Sequence, residues 1–301
     1  MRVEILPSSI KILKNNYKIL VLPDLHIPID MELKEIILNS DIFKEIDYVI
    51  LLGDNVACYG NEREYEILND FIKKLKKPYC AVNGNHEFMF EVIEYENENY
   101  GKIWKPNNME KRKIQLEKFY NFFNLKEKFW FERVGEILYI FLTIGRPESD
   151  KIEVLPEDCE EFLKDIYDKN NDLKYFFIFC HAPLKGSEIK GFKYYSDEGD
   201  PFIYLSDELI KKIENSNVNT YWFSGHIHLN YSHPMSLIRK IKKNLYQVNC
   251  PPSWKFSRKD LTDIVPKRYD EFSSLIIEKN EKMRLKVFDW FKNEYIKEVE
   301  I

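Results

Sequence analysis

Apolar runs that end abruptly in polar clusters recur five times along the chain. Each run is five to seven residues long and rich in β-branched and aromatic residues, which is typical of a strand buried on both faces. The pattern therefore predicts five buried strands, at residues 17–23, 47–52, 78–82, 175–180 and 218–223.

Patterns typical of amphipathic helices lie between the predicted strands. Leu33, Ile36 and Ile37, for example, share one face of a predicted helix. Because strands that alternate with helices pair in parallel, we expect their carboxyl ends, and the polar clusters attached to them, at one edge of a sheet. One predicted helix follows Asp30, a second includes residues 67–75, a third covers residues 156–168 and a fourth begins at Ser206.

The last part of the chain carries strand patterns without helices between them. Residues 245–249, 272–278 and 283–290 each predict a strand, and a polar turn around Asn280 joins the last two. We expect these strands to form a second, mostly antiparallel layer. The prediction is an α/β fold of two stacked sheets with helices on the outside.

Domain boundaries are not visible in the sequence. Because no internal repeat, low-complexity tract or Gly/Ser-rich linker divides the chain, we expect residues 1–301 to form a single domain. Insertions near residues 88–132 and 183–204 are candidates for a substrate lid, and the aromatic residues of 192–204 suit either a lid or simple packing. Basic residues in the first insertion either contact a polyanionic substrate or line the exposed face of a helix, with Ile114, Leu116, Phe119 and Phe123 packed beneath.

Composition and charge exclude several classes of protein. Hydrophobic residues make up 44% and charged residues 32%, which is typical of a globular chain. The net charge of −5 makes a nucleic-acid partner possible only through a local patch, so it is not favoured. Five cysteines without close spacing favour a reducing compartment over a disulfide framework. Without a secretory signal or a run of about 18 apolar residues, we expect a cytoplasmic protein that does not enter a membrane.

Histidines are concentrated at the strand ends. Of the six in the chain, five lie in clusters that directly follow a predicted strand; the sixth, His233, is expected in a surface turn or beside the site. Imidazole, carboxylate and amide groups without thiolate suit Mn²⁺, Fe²⁺ or Fe³⁺, or Zn²⁺. The clusters hold too many donors for one ion, so they predict two divalent ions about 3.5–4 Å apart. They are Asp24-Leu25-His26, Gly53-Asp54-Asn55, Asn83-Gly84-Asn85-His86-Glu87, His181-Ala182-Pro183 and Gly225-His226-Ile227-His228.

In order, these clusters resemble the five signature motifs of the calcineurin-like metallophosphoesterase superfamily. The motifs DLH, GDN, GNHE, H-x-P and GHIH extend from residue 24 to residue 228. The resemblance implies a four-layer α-β-β-α sandwich of two mixed sheets flanked by helices. It also implies seven metal ligands: Asp24, His26 and His228 at a first ion, Asp54 bridging both ions, and Asn85, His181 and His226 at a second ion.

The resemblance further implies the hydrolysis of a phosphate monoester or diester. A hydroxide that bridges the two ions would attack the phosphorus in line. His86 would be the catalytic residue that faces the substrate, stabilises the phosphoryl charge and protonates the leaving oxygen. Glu87 would support a ligand or its loop. Arg146 either reaches a phosphate group or lies on the surface.

The second motif departs from one branch of the superfamily. In the phosphoprotein phosphatases it is GDxxDRG, and the second aspartate orients the catalytic histidine. Here Ala57 occupies that position and no arginine follows, which argues against a Ser/Thr protein phosphatase and leaves open what orients His86.

Two other functions compete with a phosphatase or phosphodiesterase. DNA-repair nucleases share these motifs, but the acidic balance and the lack of a second DNA-binding domain do not favour a nuclease. A non-catalytic scaffold with this fold is ranked lower, since such relatives tend to lose ligands and the catalytic histidine, whereas every ligand position and His86 are present.

Overall fold

Strands and helices alternate through most of the chain. The computed structural model of the protein describes residues 2–57, 60–97, 100–149, 151, 153–188, 201–229, 231, 237–253 and 272–301. Within these ranges the strands are β1 (Tyr17–Leu22), β2 (Tyr48–Leu52), β3 (Tyr79–Val82), β4 (Phe90–Asn97), β5 (Tyr100–Pro106), β6 (Phe129–Val134), β7 (Ile137–Leu142), β8 (Tyr175–Cys180), β9 (Asn219–Ser224), β10 (Ile238–Lys242), β11 (Leu245–Asn249), β12 (Ser273–Lys279), β13 (Met283–Asp289) and β14 (Glu294–Glu300). The α-helices are α1 (Met31–Asn39), α2 (Asp41–Lys44), α3 (Glu62–Leu75), α4 (Met109–Phe123), α5 (Cys159–Lys169) and α6 (Asp207–Asn215).

Two six-stranded mixed sheets form the centre of the structure. The first has the order β14-β13-β12-β1-β2-β3, and the second has the order β10-β11-β9-β8-β7-β6. In the first sheet β1, β2 and β3 are parallel, whereas β12, β13 and β14 are antiparallel to their neighbours. In the second sheet β7, β8, β9 and β11 are parallel, and β6 and β10 form antiparallel edges.

The prediction that the C-terminal strands form a separate antiparallel layer is wrong. Strands β10 and β11 join the second sheet, and β12 to β14 complete the first, with Ile19 of β1 opposite Ile277 of β12. Strand β12 is apolar on both faces, and Leu275, Ile276 and Ile277 are all fully buried. Such a strand needs cover on both faces, and a central place in a sheet between two other layers provides it.

Successive side chains of a strand point to opposite faces of its sheet. The hydrophobic core therefore has three layers: one between the two sheets, and one between each sheet and its helices. In β1, Leu20 and Leu22 contact the helices on the outside of the first sheet, whereas Ile19 and Val21 face the second sheet. Helices α1, α2 and α3 cover the first sheet, and α5 and α6 cover the second. The predicted four-layer α-β-β-α sandwich of two mixed sheets is therefore confirmed.

The predicted helices are confirmed with small changes at their ends. Helix α3 follows Asn61, whose side chain accepts a hydrogen bond from the Glu64 N–H at 3.0 Å, while the Glu64 carboxylate accepts from the Asn61 N–H at 3.1 Å. Ser206 caps α6 as predicted. Helix α5 begins at Cys159, later than predicted. None of the helices in the described ranges has the length and hydrophobicity to cross a lipid bilayer.

The first insertion contains a hairpin that the sequence pattern did not predict. Strands β4 and β5 pair with each other with several register irregularities, which explains why their sequences show no clean alternation. In helix α4, Leu116, Phe119 and Phe123 are buried as predicted. Ile114 is 55% exposed instead, because it lies on the outer face of the helix.

The second insertion is described only at its two ends. Leu184 pairs with Ile203, Phe202 is buried and Tyr204 is exposed. Phe192, Tyr194 and Tyr195, on which the lid hypothesis partly depends, lie outside the described residues, as does His233. The lid and the single domain over residues 1–301 stay predictions.

Candidate metal centre at the strand ends

The polar clusters of both sheets meet at one edge of the sandwich, where the parallel strands end. All seven predicted metal ligands are buried there. They follow five different strands: Asp24 and His26 after β1, Asp54 after β2, Asn85 after β3, His181 after β8, and His226 and His228 after β9.

One group of side chains has the spacing of a metal site. The His228 Nε2 atom lies 3.1 Å from the Asp24 Oδ1 atom and 3.3 Å from the His26 Nε2 atom. The His26 Nε2 atom is 3.9 Å from the Asp54 Oδ2 atom. One possible ligand atom from each of these four residues lies within 4.8 Å of the others, close enough to surround one ion.

A second group shares Asp54 with the first. One possible ligand atom each from Asp54, His181 and His226 lies within 4.8 Å of the others. The His181 Nε2 atom is 3.1 Å from the Asp54 Oδ2 atom. The His181 Nδ1–H donates to the Leu52 carbonyl at 2.9 Å, so Nε2 is the ring atom that faces the group. Asp54 therefore lies between two possible ion positions.

Asn85 lies next in sequence to a residue that contacts Asp54. It precedes His86, whose N–H donates to the Asp54 Oδ1 atom at 2.9 Å. The Asn85 Oδ1 atom is buried and has no hydrogen-bond partner among the described residues. Leaving a buried polar atom unsatisfied costs about 1–3 kcal/mol, and an oxygen with lone pairs is a suitable cation ligand. The donor set thus fits two divalent ions.

Five of the seven residues have a left-handed backbone, which is unusual for aspartate and more so for histidine. Each such residue costs about 1–3 kcal/mol, so the surrounding structure has to hold it in place. Clusters of this kind are typical of functional sites. The residues and their φ angles are Asp24 (52°), His26 (46°), Asp54 (50°), His226 (67°) and His228 (50°).

Two glycines allow the loops to approach so closely. A Cβ atom on Gly84 would lie 2.2 Å from the Asp54 Oδ1 atom and 2.7 Å from the His181 Cδ2 atom. A Cβ atom on Gly225 would lie 2.5 Å from the Asp24 Oδ2 atom. Both glycines are therefore required by close packing of the ligand loops, since no side chain fits there.

Glu87 holds the second and third motifs together. Its buried carboxylate accepts backbone hydrogen bonds from Gly84 at 2.5 Å, Asn55 at 2.7 Å, Asp54 at 3.1 Å and Val56 at 3.2 Å. Burial and the charge of Asp54 raise the pKa of Glu87 to about 7, whereas the four N–H donors favour the ionised form. The carboxylate lies under the Asp54 loop, where the predicted supporting role would place it.

His86 is oriented by a backbone group. Its Nδ1–H donates to the Ala57 carbonyl at 2.6 Å; a carbonyl can only accept, so the proton is on Nδ1. The ring is half-buried and packs edge-on against His26, with 4.6 Å between ring centroids. Burial lowers the pKa of His86, and the nearby Asp54 charge offsets only part of this effect. The residue that replaces the expected aspartate thus still contacts the histidine, through its main chain.

The buried imidazoles and Asp54 have shifted pKa values. Burial lowers the pKa of His26 well below its ordinary value. Burial also disfavours charge on His181, but the Asp54 carboxylate overcomes it and raises the His181 pKa to about 10. For Asp54, burial is outweighed by His181 and the other imidazoles, so its pKa lies well below the usual range.

One residue of the site, Glu153, could not be recognised from local patterns. Glu153, in the loop between β7 and α5, is buried with its Oε1 atom 3.1 Å from the His226 Nε2 atom. The Asn83 side chain exchanges two hydrogen bonds of 2.8 Å with the backbone of Ile144, which joins the loop after β3 to the second sheet. Arg146 donates to the Leu155 carbonyl at 2.7 Å, so it is engaged in the Glu153 loop.

Basic side chains of the first insertion are engaged within the chain. Lys105 and Lys111 form ion pairs with Glu91. Arg112 donates to two backbone carbonyls, and Lys118 donates to one. Lys111, Arg112 and Lys118 lie on helix α4, which agrees with the interpretation of a helix face, whereas Lys105 lies on strand β5.

The two-sheet fold carries a cluster of buried Asp and His side chains at one edge. A family model described as calcineurin-like phosphoesterase matches residues 17–230, and the chain belongs to this family. No curated protein sequence is detectably similar to the chain.

Solved structures with a similar fold share little sequence with the chain. A purple acid phosphatase from seeds of yellow lupin (Lupinus luteus) has a TM-score of 0.61 and 14% identity, over 96% of this chain and 54% of the lupin chain. This chain therefore spans about half the length of the lupin protein. GAP50, described as the anchor in the inner membrane complex of Plasmodium, has a TM-score of 0.54 and 15% identity, over 96% of this chain and 89% of that one.

Proposed function

We propose that the chain is a dinuclear metal-dependent hydrolase of phosphate monoesters or diesters. The observation that carries the proposal is the pair of ligand groups that share Asp54 at the carboxyl edge of the sheets. A carboxylate common to two sites is the arrangement that two-metal hydrolysis requires, because it holds both ions close to one phosphate group.

The ion positions follow from the two groups. Asp24, His26 and His228 would hold the first ion and Asp54 would bridge. His181, His226 and Asn85 would complete the second position, where the Asn85 Oδ1 atom lacks a hydrogen-bond partner among the described residues. Imidazole and oxygen donors without thiolate suit manganese, iron or zinc.

The residues at the centre can perform hydrolysis. Two divalent ions bound there would neutralise phosphate charge and lower the pKa of water, which supplies a nucleophile at neutral pH. The hydrogen bond to Ala57 fixes the His86 ring, so His86 Nε2 would contact the phosphate or the leaving oxygen. Glu87 would keep Asp54 in position through the backbone. Because orientation by Ala57 replaces the carboxylate of the protein phosphatases, we place the chain outside that branch.

The four cysteines in the described part of the chain are buried and free, which supports a cytoplasmic location. Cys80, Cys159, Cys180 and Cys250 are unpaired, which suits a reducing compartment.

Metal removal and add-back tests the proposal. The purified protein is stripped with a chelator, supplied with Mn²⁺, Fe²⁺ or Zn²⁺, and assayed with p-nitrophenyl phosphate and bis-p-nitrophenyl phosphate. We expect turnover that disappears with the chelator and returns with metal, and the ratio of the two rates assigns monoester or diester preference. Absence of turnover with every ion, in protein shown to contain two ions, would favour the scaffold alternative.

A further inference from the structure

The carboxylate of Glu153 contacts a predicted ligand from outside both ligand groups. Its side chain is only 6% exposed, and its Oε1 atom lies 3.1 Å from the His226 Nε2 atom. Neither group of possible ligand atoms includes Glu153. Burying a carboxylate is costly unless it is paired, and His226 is the partner that the described structure provides.

The loop that carries Glu153 is fixed immediately after it. The Gly145 N–H donates to the Val154 carbonyl at 2.7 Å, and the Arg146 Nε–H donates to the Leu155 carbonyl at 2.7 Å. Arg112 donates to the Ser149 carbonyl in the same loop. Glu153 therefore contacts His226 from a backbone that is held in place by hydrogen bonds. A contact formed by chance at the surface would not need such an anchored loop.

His226 is restrained at both its backbone and its ring. Its N–H donates to the Asp24 carboxylate at 3.0 Å, and its backbone is left-handed. Because the Nε2 atom faces Glu153, Nδ1 is the ring nitrogen that can face Asp54 and His181. A neutral imidazole carries one proton, and a carboxylate beside Nε2 selects the tautomer whose Nδ1 lone pair can bind an ion.

The two ion positions differ in negative charge. Asp24 belongs to the first position alone and Asp54 to both, so the second position has no carboxylate of its own among its predicted ligands. Glu153 adds a carboxylate on the side of the second position, where it contacts the predicted ligand His226. Hydrogen bonding to a carboxylate also makes an imidazole a better donor to a metal.

We propose that Glu153 is a positioning residue for the second ion, which it serves by holding the His226 ring and by adding negative charge. This inference rests on the proposed two-metal function. The inference predicts that Glu153 strengthens the binding of the second ion and not that of the first, although Glu153 contacts neither ion.

Metal titration of the chelator-stripped protein tests this role without an assay of activity. Isothermal titration with Mn²⁺ gives the dissociation constants of both ions, and the spin-coupled signal of a manganese pair reports double occupancy. For Glu153→Ala we expect one of the two ions to bind about 10–100-fold more weakly. Glu153→Gln keeps an acceptor for the Nε2–H but removes the charge, so we expect a smaller loss. The matched control Glu148→Gln alters an exposed carboxylate of the same loop and leaves both constants unchanged.

A double variant tests whether Glu153 acts through His226, the predicted ligand of the second ion. If Glu153 acts largely through His226, then the loss of binding in Glu153→Ala combined with His226→Ala is smaller than the sum of the two single losses. Additive losses would show that Glu153 acts by another route and would overturn the proposal. Circular dichroism of the metal-free variants checks folding, and the nearly isosteric Glu153→Gln keeps the test valid if the alanine variant is unstable.

The outcomes separate this inference from the proposed function. A wild-type protein that binds two ions and hydrolyses esters, with unchanged constants in both Glu153 variants, would contradict the role of Glu153 alone. A wild-type protein that binds fewer than two ions would contradict both.

Discussion

The parallel strands of the sandwich begin and end in very different surroundings. At their beginnings, Tyr48 and Tyr79 donate hydrogen bonds to the carbonyls of Ser8 and Ile5. The hydroxyl of Tyr17, at the start of β1, contacts that of Tyr139 between the sheets. At the strand ends, by contrast, the Asn85 Oδ1 atom has no partner among the described residues, and five of the predicted ligands have a left-handed backbone.

Along each strand, residues at the beginning therefore contribute to stability and residues at the end contribute to function. Polar groups at the strand beginnings are satisfied within the chain, so they contribute to a single folded state. Those at the strand ends are crowded and conformationally strained, and only a bound ligand would compensate them fully. We therefore expect substitutions at the ends to change activity and metal binding, and substitutions at the beginnings to change the free energy of unfolding.

Asp54→Asn is expected to have the largest effect. Weakening the proposed bridging ligand should remove about 5 kcal/mol of transition-state stabilisation, which corresponds to a fall in kcat/KM of about 10⁴-fold. The metal-free variant should also be less stable than the wild type, because the Asp54 carboxylate pairs with the buried His181 when no ion is bound. Ester hydrolysis and urea unfolding measure both quantities.

Asp47 is the matched control, because it lies at the other end of the same strand. Its carboxylate accepts a hydrogen bond from the Lys18 N–H at 2.8 Å. Asp47→Asn should leave kcat/KM within a factor of about two while changing the free energy of unfolding by about 1 kcal/mol. A large loss of activity in this control would break the proposed division between the two ends.

His86→Ala should lower kcat by about 10³-fold, which is typical of the loss of a proton-transfer group. His86 is not among the predicted ligands, so the variant should still bind two ions. Steady-state kinetics and metal content are measured on the same sample. Loss of an ion together with activity would mean that His86 acts on the metal centre and not on the substrate.

Lys34→Met should stabilise the protein, because it removes a buried charge near the strand ends. Lys34 is fully buried and donates to the Ile29 carbonyl at 2.9 Å, in the loop after His26. Holding this charged group in the interior costs about 2–4 kcal/mol at neutral pH, and an apolar side chain of similar length avoids that cost. The exposed Lys44→Met is the control, with an expected change below about 0.5 kcal/mol.

The advantage of Lys34→Met should depend on pH. Burial lowers the pKa of Lys34 to about 7, from an ordinary value near 10.5. Between these values the unfolded chain binds one more proton than the folded chain, so wild-type stability rises with pH. The variant should therefore be most favoured below pH 7, and its advantage should shrink towards pH 10. Urea unfolding at pH 6.5 and 9.5 measures this; an equal advantage at both would contradict it.

The smallest effect is expected at the strand beginnings, from Tyr139→Phe. This change removes the hydroxyl that contacts Tyr17 and leaves the packing of the ring intact, at a cost of about 1 kcal/mol. Activity and metal binding should be unchanged, because the pair lies away from the ligand groups. A variant that loses turnover without losing stability would show that the two ends are coupled.

Sequence patterns predicted the features of the molecule that have local causes. The strands before Asp24 and His181 were recognisable because burial on both faces gives continuous apolar runs. The ligand clusters were recognisable because histidines follow those runs.

Features that depend on tertiary contacts could not be predicted in this way. The pairing of β12 with β1 joins strands from opposite ends of the chain, and no local pattern specifies which strands become neighbours; this pairing overturned the expected second layer. Glu153 is one of many acidic residues and becomes distinctive only through its distance to His226. The group that orients His86 is a carbonyl, and a backbone atom leaves no signature in the choice of side chain.

The distance along the chain between ligands has a consequence for synthesis on the ribosome. Asp24 and His228, in contact in the folded protein, are 204 positions apart. A nascent chain that has emerged only as far as β7 already carries Asp24, His26, Asp54 and Asn85 but none of the three histidines from the second sheet. We expect it to capture metal weakly, because neither ligand group is complete. Tight uptake of metal would then mark the moment at which the later strands have docked.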